Sequence, residues 1–182
     1  MKTTRLFAAL LVLAALGAMA GCKTSTRSPD VSYSIHKSLD QAGLKDVTVT
    51  QDTDKGIVTL GGQVLTADQK AQAELLAKQI AGSEVVANQI AIIPPGGSSD
   101  AHAVNSYLDQ GIEKNLEAAM IQNKIQGQLN YAVKNGVVTL SGEVPSEDLR
   151  SNAERVATAV PNVQQVVNAV AVVKHRKATS SQ

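Results

Sequence analysis

Gly56-Ile57-Val58-Thr59-Leu60-Gly61-Gly62-Gln63-Val64 returns eighty residues later as Gly136-Val137-Val138-Thr139-Leu140-Ser141-Gly142-Glu143-Val144. The register continues without a gap to Ile92 and Val172. It spans 37 positions, of which 13 are identical, and most of the others exchange like for like. Such a self-match marks an internal duplication, so the fold is one unit made twice. Between the copies stands Pro94-Pro95-Gly96-Gly97-Ser98-Ser99-Asp100, a linker by composition. Each copy holds about 60–70 residues, near the lower size limit for a self-sufficient core, which favours a packed pair.

Periodicity supplies the elements of a copy. Asp30 caps a helix in which Val31, Ile35 and Leu39 recur every four residues, and Gly43 ends it. Val47 and Val49 alternate with Thr48 and Thr50 as a short strand. The turn Asp52–Gly56 leads into a second strand through Ile57–Leu60 to Val64. Thr66 with Gln69 opens a second helix as a capping box, with Ala73, Leu76, Ala77 and Ile80 on one apolar face. A strand from Val85 to Ile92 closes the copy. In the second copy a helix carries Val104, Leu108, Ile112, Leu116 and Met120, and strands follow at Gln128–Val133 and Val137–Val144. A helix then starts at Ser146, carrying Ala153, Val156, Ala157 and Val160, before strand Val166–Val173. The fold class is α+β: two αββαβ domains, each a three-stranded mixed sheet with two helices packed on one face.

A Gly-x-Val-Thr-Leu-x-Gly-x-Val strand, an Ala-rich amphipathic helix and a closing Val-x-Asn-x-[IV]-x-[IV] resemble the BON domain, twice over. The pair is similar to dual-BON envelope lipoproteins and to osmotically inducible periplasmic BON proteins. The resemblance implies phospholipid binding without catalysis, in service of envelope integrity or osmotic-stress tolerance. This chain has Gly61 where the commoner residue is the Ser found at Ser141.

The motif residues read first as structure. Gly62 and Gly142 sit where a strand leaves towards a helix, a place for a bulge or a close backbone approach. Asn88 and Asn168 share strand parity with the core positions, as buried amides that satisfy turn backbone. Asp52-x-Asp54-x-Gly56 is a turn and not a calcium loop, because Gly56 and Gln63 stand where the fifth and twelfth ligands would be. His36, His102 and His175 have no ligand-spaced partner, so no metal and no cofactor are expected. No nucleophile-elbow, zincin or P-loop motif occurs, and no catalytic residue is assigned. The helix near 104–124 is the more informative stretch. Its central stripe packs on the sheet. Tyr107, Lys114, Ile121 and Lys124 flank that stripe and suit a membrane interface, ring and amines at headgroup depth.

The N-terminus is an address. Lys2 and Arg5 precede an apolar run from Leu6 to Ala20. As a helix it would span roughly 22 Å, short of the roughly 30 Å hydrocarbon core, and it describes a signal peptide. Two processing sites compete. Met19-Ala20-Gly21-Cys22 resembles a bacterial lipobox, which would lipidate Cys22, whereas Ala18-Met19-Ala20 fits ordinary cleavage and release into the periplasm. Lipidation is the favoured reading, since an unmodified Cys22 would be a lone thiol in an oxidising compartment. By the same resemblance, Lys23 in place of Asp after the Cys points to the outer membrane. The expected layout is a signal at 1–21, tether 22–30, first domain 31–93, linker 94–103, second domain 104–174 and basic tail 175–182.

Composition excludes several classes. With 17 Lys and Arg against 16 Asp and Glu, the formal net charge is +1. Removal of residues 1–21 takes two bases and no acid, so overall charge attracts neither nucleic acid nor anionic lipid. Beyond Phe7 the only aromatics are Tyr33, Tyr107 and Tyr131, too few for a base-stacking platform. The expected partner is membrane phospholipid, anionic by virtue of local lysines. The alternative is an envelope protein recruited through strand edges or the groove between the domains. No nucleic acid is expected, and the oligomeric state is left open.

Overall fold

The computed structural model describes residues 27–125 and 129–173. The first half runs α1 (Ser32–Gln41), β1 (Val47–Asp52), β2 (Ile57–Val64), α2 (Ala67–Ala81), β3 (Val85–Asn88) and β4 (Ala91–Ile92). The second runs α3 (Ser98–Gln122), β5 (Leu129–Lys134), β6 (Val137–Val144), α4 (Glu147–Thr158) and β7 (Gln165–Val172). In each half the central strand pairs antiparallel with the strand before it and parallel with the one after the helix, giving the expected mixed sheet twice. Cys22, the signal segment, Gln128 and the basic tail from Lys174 lie outside the described residues.

Local chemistry starts and stops the helices. Asp30 accepts the Ser32 N–H at 3.0 Å, Thr66 accepts Gln69 N–H at 3.2 Å, and Ser146 accepts Leu149 N–H at 3.3 Å. Gln69 returns the favour by accepting the Leu65 N–H at 2.9 Å. Gly43 ends α1 with φ +79°, the left-handed conformation of a helix C-terminus.

Two cores result. Ile35 and Leu39 of α1 and Ala73 and Ala77 of α2 close over Val58, Leu60 and Val86. Ile112, Leu116 and Met120 of α3 and Ala153 and Ala157 of α4 close over Val138 and Leu140. Alanines on α2 and α4 let those helices sit close to their sheets. The helix-free faces of the two sheets meet each other, burying Ile57 and Ala87 against Val137 and Val167. These four are two pairs of equivalent residues at the eighty-residue offset, so the contact is quasi-two-fold.

Three features differ from the sequence reading. The strand expected from Val85 to Ile92 divides into β3 and β4. The Gln89 carbonyl accepts from Asn135 of the second half at 2.7 Å, while the Gln89 N–H still donates to the Leu60 carbonyl of β2 at 2.9 Å. Helix α3 opens at Ser98, inside the stretch expected as linker, since past Pro94-Pro95-Gly96-Gly97 nothing opposes helix and Asp100 suits the first turn. The stripe expected to pack on the sheet is buried only in its second half. Val104 (55% exposed) and Leu108 (48%) stand clear of it, because α3 is far longer than its counterpart α1.

Candidate functional site

The exposed side of α3 gathers the candidate contact residues. Tyr107, Lys114 and Ile121 are seven residues apart, two helical turns at each step, so they run along one side over roughly 21 Å. Tyr107 is 72% exposed and Ile121 48%. Lys114 is exposed on the same stripe. Lys124 lies just past the helix, exposed, in the left-handed conformation at φ +57°. The structure therefore brings three of the four onto one line and puts Lys124 in the turn at its end. Val104 and Leu108 add apolar surface near Tyr107, a combination that keeps an amphipathic helix at a water–lipid boundary.

Of the acids on this helix Asp109 is engaged elsewhere, whereas Glu117, exposed, stands three residues after Lys114 and four before Ile121 and borders the stripe. Asp109 accepts the N–H groups of Asn135 and Gly136 at 2.7 and 2.9 Å, tying α3 to the turn before β6. Glu113 and Glu117 lie near Tyr131, whose hydroxyl pKa is raised first by burial and then by those two carboxylates. Lys114 is the one cation within α3, so its attraction to an anionic surface is local and short-ranged.

The motif residues fall elsewhere. Gly62 has φ +83°, and a Cβ there would lie 2.0 Å from the Asp46 carbonyl oxygen. Gly142 has φ +117° at the matching place. Asn88, 3% exposed, donates to the Lys70 carbonyl at 3.1 Å and to the Glu74 carboxylate at 2.9 Å, and accepts the Ile90 N–H at 3.4 Å. Asn168 repeats this with Arg150, Glu154 and Val170. The two asparagines pin α2 to β3 and α4 to β7, far from the α3 stripe in role. His36 pairs with Asp40 and His102 is exposed, while His175 lies outside the described residues. Among the described residues no group of three His, Cys, Asp or Glu side chains could hold a metal, and no helix is long and apolar enough to cross a membrane.

Sequence reasoning missed Gln165. Its side chain accepts the Asn88 N–H at 3.0 Å and donates to the Val86 carbonyl at 2.7 Å, closing the outer edge of β3 from the other domain. The signal was available: Gln165 stands where the first copy has Val85, a polar exchange within a strand.

Residues 31–94 and 108–174 each match the model of one family, described as the BON domain. The chain is 28% identical over 133 residues to the osmotically-inducible protein Y of Escherichia coli strain K12, covering 71% of this chain and 64% of that protein. The chain thus spans less than two thirds of that relative's length. It is also 28% identical over 145 residues to an uncharacterised protein in the gshII 5′ region of Anaplasma centrale, covering 79% of this chain and 92% of the other. Among solved structures it is similar to the C-terminal domain of CdsD, a structural protein of the type III secretion system of Chlamydia trachomatis. That likeness has 15% identity and a TM-score of 0.32, over 75% of this chain and 62% of the other.

Proposed function

The chain belongs to the BON domain family, with two copies of the domain, and on that premise we propose that it is a non-catalytic envelope protein that binds phospholipid at a membrane surface. In this reading it supports envelope integrity or osmotic-stress tolerance; the printed name of the Escherichia coli relative, osmotically-inducible protein Y, supports the second. Residues 1–21 deliver it across the inner membrane, and a lipidated Cys22 holds it to the outer membrane through the tether 22–30. Domains at 31–93 and 104–174 then face the periplasm.

The observation that carries the proposal is the exposed stripe of Tyr107, Lys114 and Ile121, which no core uses. The test is flotation of residues 23–182 with vesicles of anionic or neutral phospholipid. Binding to anionic vesicles that falls with salt is expected. Replacing Tyr107 and Ile121 by Ser should lower the floated fraction several-fold with the circular dichroism spectrum unchanged. Failure of the parent to float, or flotation of the variant at the parental level, sinks the proposal. For the anchor, Cys22→Ser should move the protein from the membrane to the soluble fraction.

The strand edges favour a second reading, a protein-interaction adaptor. β5 pairs only with β6 among the described residues, leaving one backbone edge open to an added strand. That reading predicts no vesicle binding and a crosslinked partner along Leu129–Lys134.

A further inference from the structure

Asn135-Gly136 is the only Asn-Gly pair in the chain, and the first copy has Lys55-Gly56 in its place. The two residues form the whole loop between β5 and β6, since Lys134 and Val137 on either side still pair. Both have positive φ, +47° and +76°, which fits a type I′ hairpin turn. The turn is clamped from both domains. Asp109 of α3 accepts the Asn135 N–H at 2.7 Å and the Gly136 N–H at 2.9 Å. The Gly136 carbonyl accepts the Gln164 N–H at 2.8 Å. From the first domain, the Gln89 carbonyl accepts the Asn135 side-chain amide at 2.7 Å. Gly136 is buried and Asn135 half-buried, beside an open cleft of about 530 Å³ that Gln89, Asp109 and Asn135 help to line.

We infer that Asn135 is a site of spontaneous deamidation, guarded by the contact between the domains and uncovered when they part. In an Asn-Gly pair the glycine has no Cβ to keep its nitrogen from the asparagine side chain. The Gly136 nitrogen forms a bond to Asn135 Cγ, the Cγ–Nδ2 bond breaks, and the proton of the attacking nitrogen leaves with Nδ2 as ammonia. Water then opens the cyclic imide at either carbonyl, giving aspartate or isoaspartate at position 135. Water is consumed, ammonia is released, and nothing is oxidised or reduced. Ring closure has to rotate the Asn135–Gly136 peptide out of the I′ turn, so that its nitrogen reaches the side chain. In the closed molecule that rotation breaks the Gly136 bond to Asp109 and pulls Nδ2 off the Gln89 carbonyl, so the reaction waits for local opening. Afterwards the contact does not reform as it was. A carboxylate at 135 has no N–H for the Gln89 carbonyl and stands near the Asp109 carboxylate, which already accepts the N–H of the same residue. Isoaspartate also lengthens the backbone of a two-residue loop whose geometry the strands demand. Deamidation thus turns a transient parting of the domains into a lasting one.

The test holds the purified protein in mildly alkaline buffer and follows conversion at Asn135 by tandem mass spectrometry of fragment 118–143, cut at glutamates. Isoaspartate is counted separately with an isoaspartyl methyltransferase. In guanidinium above the unfolding midpoint, Asn135 should convert several-fold faster than Asn123 or Asn130 of the same fragment. In native buffer its conversion should be slower by about tenfold or more. Val167→Asp, which sets a carboxylate between the two sheets, should return most of that rate without denaturant, the circular dichroism spectrum being kept. Asn135→Asp, the product made directly, should quicken amide exchange several-fold at Asn88, whose N–H is held by Gln165 of the other domain. Equal rates in the folded and unfolded chain, Asn135 no faster than the other asparagines when unfolded, a folded Val167→Asp at the parental rate, or unmoved Asn88 exchange in Asn135→Asp would each overturn the assignment.

Discussion

Lys124 occupies the place that Gly43 holds in the first domain, with φ +57° against +79°. In both turns the following residue, Leu44 or Ile125, donates its N–H to the carbonyl five residues back and buries its side chain. A side chain in this conformation costs about 1 kcal/mol that glycine does not incur. Lys124→Gly is therefore expected to raise stability by about 0.5–1 kcal/mol in urea unfolding, and Gly43→Lys to lower it by about 1 kcal/mol. A Cβ on Gly43 meets nothing within 4 Å, so that second cost is backbone alone. Sequence placed Lys124 by its charge beside aliphatics, and only alignment with Gly43 reveals the backbone it must adopt. Asn88 was legible, because strand parity points it into the core. Its partner Glu74 was not, since the contact joins two elements. Burial works against ionisation of Glu74, but hydrogen bonds from Asn88 and Lys78 prevail and hold its pKa below the ordinary 4.5. A carboxyl lowered in the folded state stabilises fully above about pH 4.5, and that gain is lost as pH falls through the folded value. Asn88→Ala should cost about 1–3 kcal/mol at pH 7, from the carboxylate and carbonyl it leaves unpartnered. Urea midpoints of parent and variant should then converge as pH is taken from 7 towards 3.

At the scale of the element, α3 is two helices in one. Residues 112, 116 and 120 match Val31, Ile35 and Leu39 of α1 and close the second core, while Val104 and Leu108 have no counterpart there. An i, i+4 stripe runs unbroken from 104 to 120, and periodicity alone says nothing of where the sheet beneath it stops. The duplication says more, since the first copy's stripe begins at Val31. Leu116→Ala should cost about 2–5 kcal/mol, the range for a large side chain removed from a packed core. Val104→Ser and Tyr107→Ser should each stay within about 0.5 kcal/mol of the parent in the same urea assay. A large loss on either of those two would mean that the overhanging half is packed in solution, and the membrane proposal would lose its surface.

At the scale of the whole molecule, the two domains join through a symmetric apolar centre and an asymmetric polar rim. The centre was implicit in the repeat, because Ile57 and Ala87 and their equivalents Val137 and Val167 are apolar on the sheet face that the helices leave bare. The rim was not legible, since Gln165 and Asn135 act on backbone groups of the other domain, which no periodicity reports. The rim breaks the symmetry: Val85, at the place equivalent to Gln165, is half exposed and donates no such side-chain bond. A symmetric centre alone would let like copies pair, and the rim instead favours the first domain against the second. Each domain is near the size at which a core barely sustains itself, so the shared cluster should make the pair unfold together. The parent is expected to show a single urea transition. Val167→Asp sets a carboxylate among Ile57, Ala87 and Val137, where an unpaired charge costs several kcal/mol unless the sheets part. Because Val167 faces away from the second core, parting is the cheaper response. The expected result is two transitions whose denaturant slopes together match the parent's one, with amide exchange quickened at Asn88, whose N–H Gln165 has let go. One transition at the parental midpoint would mean that this contact does not hold the halves together, and that each domain stands on its own core.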